Sequence, residues 1–61
     1  MKAIKYFREA AGMTQMELAE KMNVSQSTVG MWEIGINKPR TEKLIQLAKL
    51  FNCTVDELLK D

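Results

Sequence analysis

This 61-residue chain has no histidine and one cysteine, Cys53. It pairs no carboxylates convincingly in a pocket, so it offers neither a catalytic nucleophile with its base nor a zinc site. Its chemistry-bearing residues sit in one stretch, Thr14 to Gly35, and just beyond it. Within that stretch Val29 and Trp32 fall three apart on one side of a helix, while Gln26, Ser27, Gly30 and Met31 point elsewhere. A helix with an apolar back and small polar or amide residues in front can lie in a DNA groove. Lys38, Arg40 and Lys43 follow directly, where phosphates would lie.

The neighbouring sequence supplies the elements to hold that helix. Thr14 and Glu17 form a capping-box pattern, in which a hydroxyl and a carboxylate each satisfy an orphan amide at a helix start. Leu18, Ala19 and Met22 give that helix an apolar stripe. Asn23 tolerates the left-handed conformation of a helix stop, Val24 plugs the corner, and Ser25 is a second N-cap. Upstream, Ile4, Phe7 and Ala11 mark an amphipathic helix that Gly12 ends, with Met13 bridging to the Thr14 cap. Downstream, Gly35 closes the third helix and Pro39 forbids its continuation.

A fourth helix is expected after a Thr41 cap, with Leu44, Leu47, Ala48 and Phe51 as its stripe and Asn52 at its end. Thr54 with Glu57 repeats the capping box for a short fifth helix holding Val55, Leu58 and Leu59. The expectation is five helices and no strand. The core should draw on Ile4, Phe7, Leu18, Ala19, Met22, Val24, Val29, Trp32, Ile36, Leu44, Leu47, Ala48, Phe51, Val55 and Leu58. Trp32 is read as a core plate because of its spacing from Val29.

Composition fits one domain over residues 1–61. A hydrophobic fraction of 46% with 28% charged residues is that of a globular chain. No apolar run approaches the ~20 residues of a membrane span, no signal peptide is visible, and the lone thiol suits a reducing cytoplasm. The net charge of +1 says little by itself, but it is unevenly spread. Lys2, Lys5 and Arg8 lie on the first segment and Lys38, Arg40 and Lys43 after the third helix. Acids gather at Glu17 and Glu20 and at Asp56, Glu57 and Asp61.

In combination, these residues resemble the lambdoid repressor-like, or XRE (Cro/C1-type), helix-turn-helix family. The matching residues are Arg8, Gly12-Met13-Thr14-Gln15, Glu17-Leu18-Ala19, Val24-Ser25-Gln26-Ser27-Thr28-Val29, Trp32-Glu33, Gly35, Pro39, Leu44, Leu47-Ala48, Val55 and Leu58-Leu59. The resemblance implies an all-α, five-helix, lambda repressor-like DNA-binding domain, with helices 2 and 3 as the helix-turn-helix. It also implies that helix 3 enters the major groove.

The resemblance implies base reading by Gln26, Ser27 and Met31. The Gln26 amide suits adenine N6 and N7, Ser27 selects weakly, and the Met31 thioether gives little hydrogen-bond specificity. It assigns the DNA backbone to Gln15, Thr28, Asn37, Lys38 and Arg40, with Lys43 a weaker candidate. Gln15 is further expected to brace Gln26. Arg8 and Glu33 are expected to form a partly buried ion pair between helices 1 and 3. Gly30 lets backbone approach DNA, at a helix cost of roughly 1 kcal/mol relative to alanine.

The chain departs from the family pattern at Ile34, where a polar or basic residue is usual; it either covers the core or forms an exposed apolar spot. No lysine or arginine lies on helix 3, so the grip on phosphate must come from its neighbours. The implied function is a sequence-specific double-stranded DNA-binding transcriptional regulator, a repressor on a two-fold operator, acting as a homodimer at least on DNA. Leu59, Phe51 and Cys53 are candidates for the dimer contact or, equally, for burial within the monomer. The alternative is a protein–protein module such as the antitoxin of a toxin–antitoxin pair. Neither reading calls for a cofactor, metal, membrane or small-molecule ligand, and the chain is either a minimal regulator or a domain of a longer one.

Overall fold

The computed structural model describes residues 1–60, so Asp61 lies outside the described residues. It contains α1 (Lys2–Ala10), α2 (Gln15–Met22), α3 (Gln26–Ile34), α4 (Thr41–Phe51) and α5 (Val55–Leu59), with no strand among the described residues. The fold is all-α with five helices among the described residues, as the sequence implies. The starts of α2, α3 and α5 and the ends of the first four helices follow from local signals. At α2, the Thr14 hydroxyl accepts from the Glu17 amide at 3.1 Å and the Glu17 carboxylate accepts from the Thr14 amide at 2.9 Å. Thr54 and Glu57 make the same reciprocal pair at α5. At α3, the Ser25 hydroxyl accepts from the Thr28 amide at 3.2 Å.

The first four helices end in one way. A residue in the left-handed region turns the chain back, and the amide after it bonds a carbonyl of the last helical turn. Asn23 (φ 57°) and Asn52 (φ 53°) do this for α2 and α4, and Gly12 (φ 71°) and Gly35 (φ 87°) for α1 and α3. The returning amides are those of Val24 to Ala19, Cys53 to Ala48, Met13 to Arg8 and Ile36 to Met31.

The start of α4 differs from the sequence expectation. Arg40, not Thr41, is the N-cap, and no side chain caps it. Arg40 (ψ 162°) is the last extended residue, and Thr41 is already helical. Its hydroxyl is therefore one position too late to cap.

Ile4, Leu18, Met22, Val29, Leu47 and Leu58 are fully enclosed, and Trp32 is buried with them. Phe7, Val24, Leu44, Phe51 and Val55 close the margins half-buried, with the Phe7 and Phe51 rings stacked at 5.9 Å. Each large buried side chain contributes about 1.5–3 kcal/mol before entropy is subtracted, which sustains a domain of this size without a crosslink. Cys53 is a half-buried free thiol, and burial pushes its pKa up.

Two core assignments change. Ile36 is 65% exposed rather than core, because the turn after α3 commits its amide to the Met31 carbonyl and leaves its side chain outside. Pro39 is the loop residue that is buried. Met1 joins the core, and its ammonium donates to the carbonyls of Trp32 (2.6 Å) and Glu33 (3.3 Å) at the C-terminal end of α3. A cation there offsets the negative end of the helix dipole.

Candidate nucleic-acid interface

Three residues, Asn23 to Ser25, join α2 to α3. The Ser25 cap leaves the first turn of α3 facing outward. Gln26 and Ser27 are exposed there, and their side chains make no hydrogen bond among the described residues. Their amide and hydroxyl are therefore unspent at the positive end of a helix, where anions are attracted. Met31 lies one turn beyond Ser27, half-buried, with its sulfur 3.5 Å from Nδ2 of Asn37. The Asn37 amide thus makes a weak, exposed contact to the thioether.

Thr28, Asn37, Lys38, Arg40 and Lys43, all of the residues assigned to the DNA backbone except Gln15, line one notch of about 400 Å³ together with Trp32 and Pro39. The structure gathers residues from α3, the following loop and the first turn of α4. Lys38 and Arg40 are exposed at its rim. Besides Asn37, two members have prior commitments. The Thr28 hydroxyl lies 2.9 Å from that of Ser25. Lys43 donates from Nζ to the Met22 carbonyl at 2.7 Å, so it caps the C-terminus of α2. An ammonium has three hydrogens and one is spent here, which makes Lys43 first a brace between α2 and α4. No sequence signal gives that contact, because the partner is a carbonyl 21 residues away.

Behind this surface, Arg8 Nε donates to Glu33 Oε2 at 2.6 Å and Nη2 to Oε1 at 3.3 Å. The side chains are 10% and 3% exposed. Arg8 Nη1 also donates to the Met13 carbonyl at 2.8 Å, so one guanidinium ties α1 to α3 and to the entry of α2. Donating to the Glu33 carboxylate raises the arginine pKa above its ordinary value. Gln15, at the start of α2, donates from Nε2 to Glu33 Oε1 at 3.0 Å. That amide passes over Gly30, where an added Cβ would sit 3.8 Å from Nε2. The Gln15–Glu33 link is a further contact that spacing along the chain does not reveal.

Elsewhere, Lys2, Ala3, Tyr6, Phe7, Glu57 and Lys60 line a cavity of about 340 Å³ between α1 and α5, sharing no residue with the notch. Ile34 is 73% exposed, so it forms an apolar spot on the surface and does not cover the core. Among the described residues, no helix is long and apolar enough to cross a membrane, and no cluster of potential metal ligands occurs.

A family model described as helix-turn-helix matches residues 4–58. The chain belongs to the Cro/C1-type helix-turn-helix family. As a helix-turn-helix domain it is 38% identical over 58 residues to the HTH-type transcriptional regulator ImmR of Bacillus subtilis, covering 95% of this chain and 46% of that protein. It is also 38% identical over 56 residues to the HTH-type transcriptional activator BcrR of Enterococcus faecalis, covering 92% of this chain and 28% of that one. An HTH-type transcriptional regulator of Archaeoglobus fulgidus is 36% identical over 55 residues, covering 90% of this chain and 79% of its own. This helix-turn-helix chain therefore spans less than half the length of ImmR and BcrR. These relatives are named as regulators of transcription. There is no significant match among solved structures.

Proposed function

We propose that this helix-turn-helix domain is the sequence-specific, double-stranded DNA-binding module of a cytoplasmic transcriptional regulator. The first turn of α3 reads base edges in the major groove through Gln26 and Ser27, with Met31 contributing apolar contact. The notch of Asn37, Lys38 and Arg40 holds the adjacent phosphates. The observation that carries this reading is the juxtaposition of an unspent polar helix front with a cationic notch lined by the same helix and the loop that leaves it. Side-chain amides and hydroxyls read bases, while lysine and arginine beside them fix register without reading sequence.

With no cation on α3 itself, one copy has few phosphate contacts. The domain accordingly works as a homodimer on a two-fold operator, and we read its action as repression. BcrR, a relative in this domain, is named an activator, so the domain is compatible with either sign of regulation.

Selection from random duplex DNA, followed by binding of the enriched site in rising salt, tests this. The expected product is an inverted repeat with half-sites roughly one helical turn apart, bound by two chains and weakened steeply by salt. No enriched sequence, together with tight capture of a partner protein, would overturn the reading and favour an antitoxin-like protein-docking module.

A further inference from the structure

Gln15 stands half-buried at the first position of α2 and gives one Nε2 hydrogen to Oε1 of Glu33, 3.0 Å away. A carboxylate can only accept. The Gln15 carboxamide therefore has one permitted sense, with its nitrogen toward Glu33 and its oxygen directed away. Its Nε2 also lies against α3 at Gly30, one helical turn beyond Gln26. Glu33 has no freedom to follow a turning amide, because Arg8 engages both of its oxygens. Arg8 in turn holds the Met13 carbonyl, next to the Thr14 cap that starts α2.

We propose that Glu33 is a positioning residue for DNA binding: it fixes the Gln15 amide nitrogen-inward, so that α2 presents the Gln15 oxygen and second N–H to the operator. The inference rests on the DNA-binding reading above. The second N–H is then a donor for a phosphate oxygen. The outward oxygen is an acceptor for a neighbouring amide such as that of Gln26. Arg8 completes the arrangement by cancelling the charge of a carboxylate that would otherwise repel phosphate from behind the interface.

A carboxylate that served only to join α1 and α3 would leave the contribution of Gln15 untouched, and a double-mutant comparison separates the two roles. In the parent chain Gln15→Ala is expected to lower affinity for the selected operator roughly tenfold, the size of one charge-assisted hydrogen bond. In the Arg8→Met, Glu33→Leu background, which leaves no buried charge unpaired, the same substitution should cost less than about twofold. An undiminished loss in that background overturns the proposal.

A second measurement needs neither variants nor DNA. In 15N-resolved NMR of the unaltered chain, one Gln15 side-chain amide hydrogen should be shifted downfield and slow to exchange, unlike its partner. Two ordinary, rapidly exchanging hydrogens would refute the link even if the doubly substituted chain failed to fold. If the parent selects no DNA site, the functional reading falls, and the NMR experiment still decides whether Glu33 holds Gln15.

Discussion

Glu33, on the last turn of the helix assigned to base reading, holds Arg8 of α1 across 25 residues of sequence at 2.6 Å, with both side chains almost fully enclosed. The pair decides how α3 sits on α1, and it is asymmetric under mutation. Arg8→Met or Glu33→Leu alone leaves a desolvated charge and is expected to cost about 3–5 kcal/mol. Both together should cost only about 1–2 kcal/mol, chiefly for the Met13 carbonyl and Gln15 amide left without partners. Urea unfolding of the three variants checks this, and equal costs for the single and double changes would refute it.

The base-reading and phosphate-holding residues should fail differently on DNA. Gln26→Ala is expected to cost about 1–3 kcal/mol and to relax preference at one base pair. Lys38→Ala should weaken all sequences alike and reduce the salt slope by about one. Titrations against the selected site and its single-base variants at several salt concentrations separate the two. A Gln26→Ala chain that kept the parent's full preference would show that α3 does not read bases through this residue.

Gly30 is helical, not left-handed, and an added methyl meets only the Gln15 nitrogen at ordinary contact distance. Gly30→Ala is therefore expected to stabilise the fold by about 0.5–1 kcal/mol, raising Tm by roughly 2–8 °C. If Gly30 instead serves to admit DNA backbone, the same variant will melt higher and bind the operator less tightly. Calorimetry and binding on one preparation resolve the point.

Acid should act through the α2 cap. The Thr14 backbone amide, and then its side chain, hold the Glu17 pKa below its ordinary value. A lowered folded-state pKa means that the contribution is fully present above the ordinary glutamate range. It is lost as pH falls through the folded value. Glu17→Gln should therefore flatten the acid arm of a Tm-against-pH curve measured from pH about 6 to about 2. An unchanged arm would show that the exposed capping box carries no pH-dependent stability.

The helices were legible because their signals act within four residues. Thr14 with Glu17, Ser25, and Thr54 with Glu57 cap helices because a side chain reaches an amide three positions on; Asn23, Gly35 and Asn52 end them because their own φ permits it. Apolar spacing likewise marked Leu18, Met22, Val29, Trp32 and Leu47 as core, since helical periodicity alone puts them on one face.

What only the tertiary structure decided lies in loops, termini and long polar side chains, whose surroundings depend on which distant backbone arrives beside them. Ile36 is outside and Pro39 inside because of the path of one turn. Met1 is buried because α1 begins beside the end of α3, and Lys43 is drawn to a carbonyl of α2. The amide of Gln15 points at Glu33 because Arg8 has fixed that carboxylate in place. Capping and periodicity are local and written in the chain; partners 18 to 32 residues apart are set by packing.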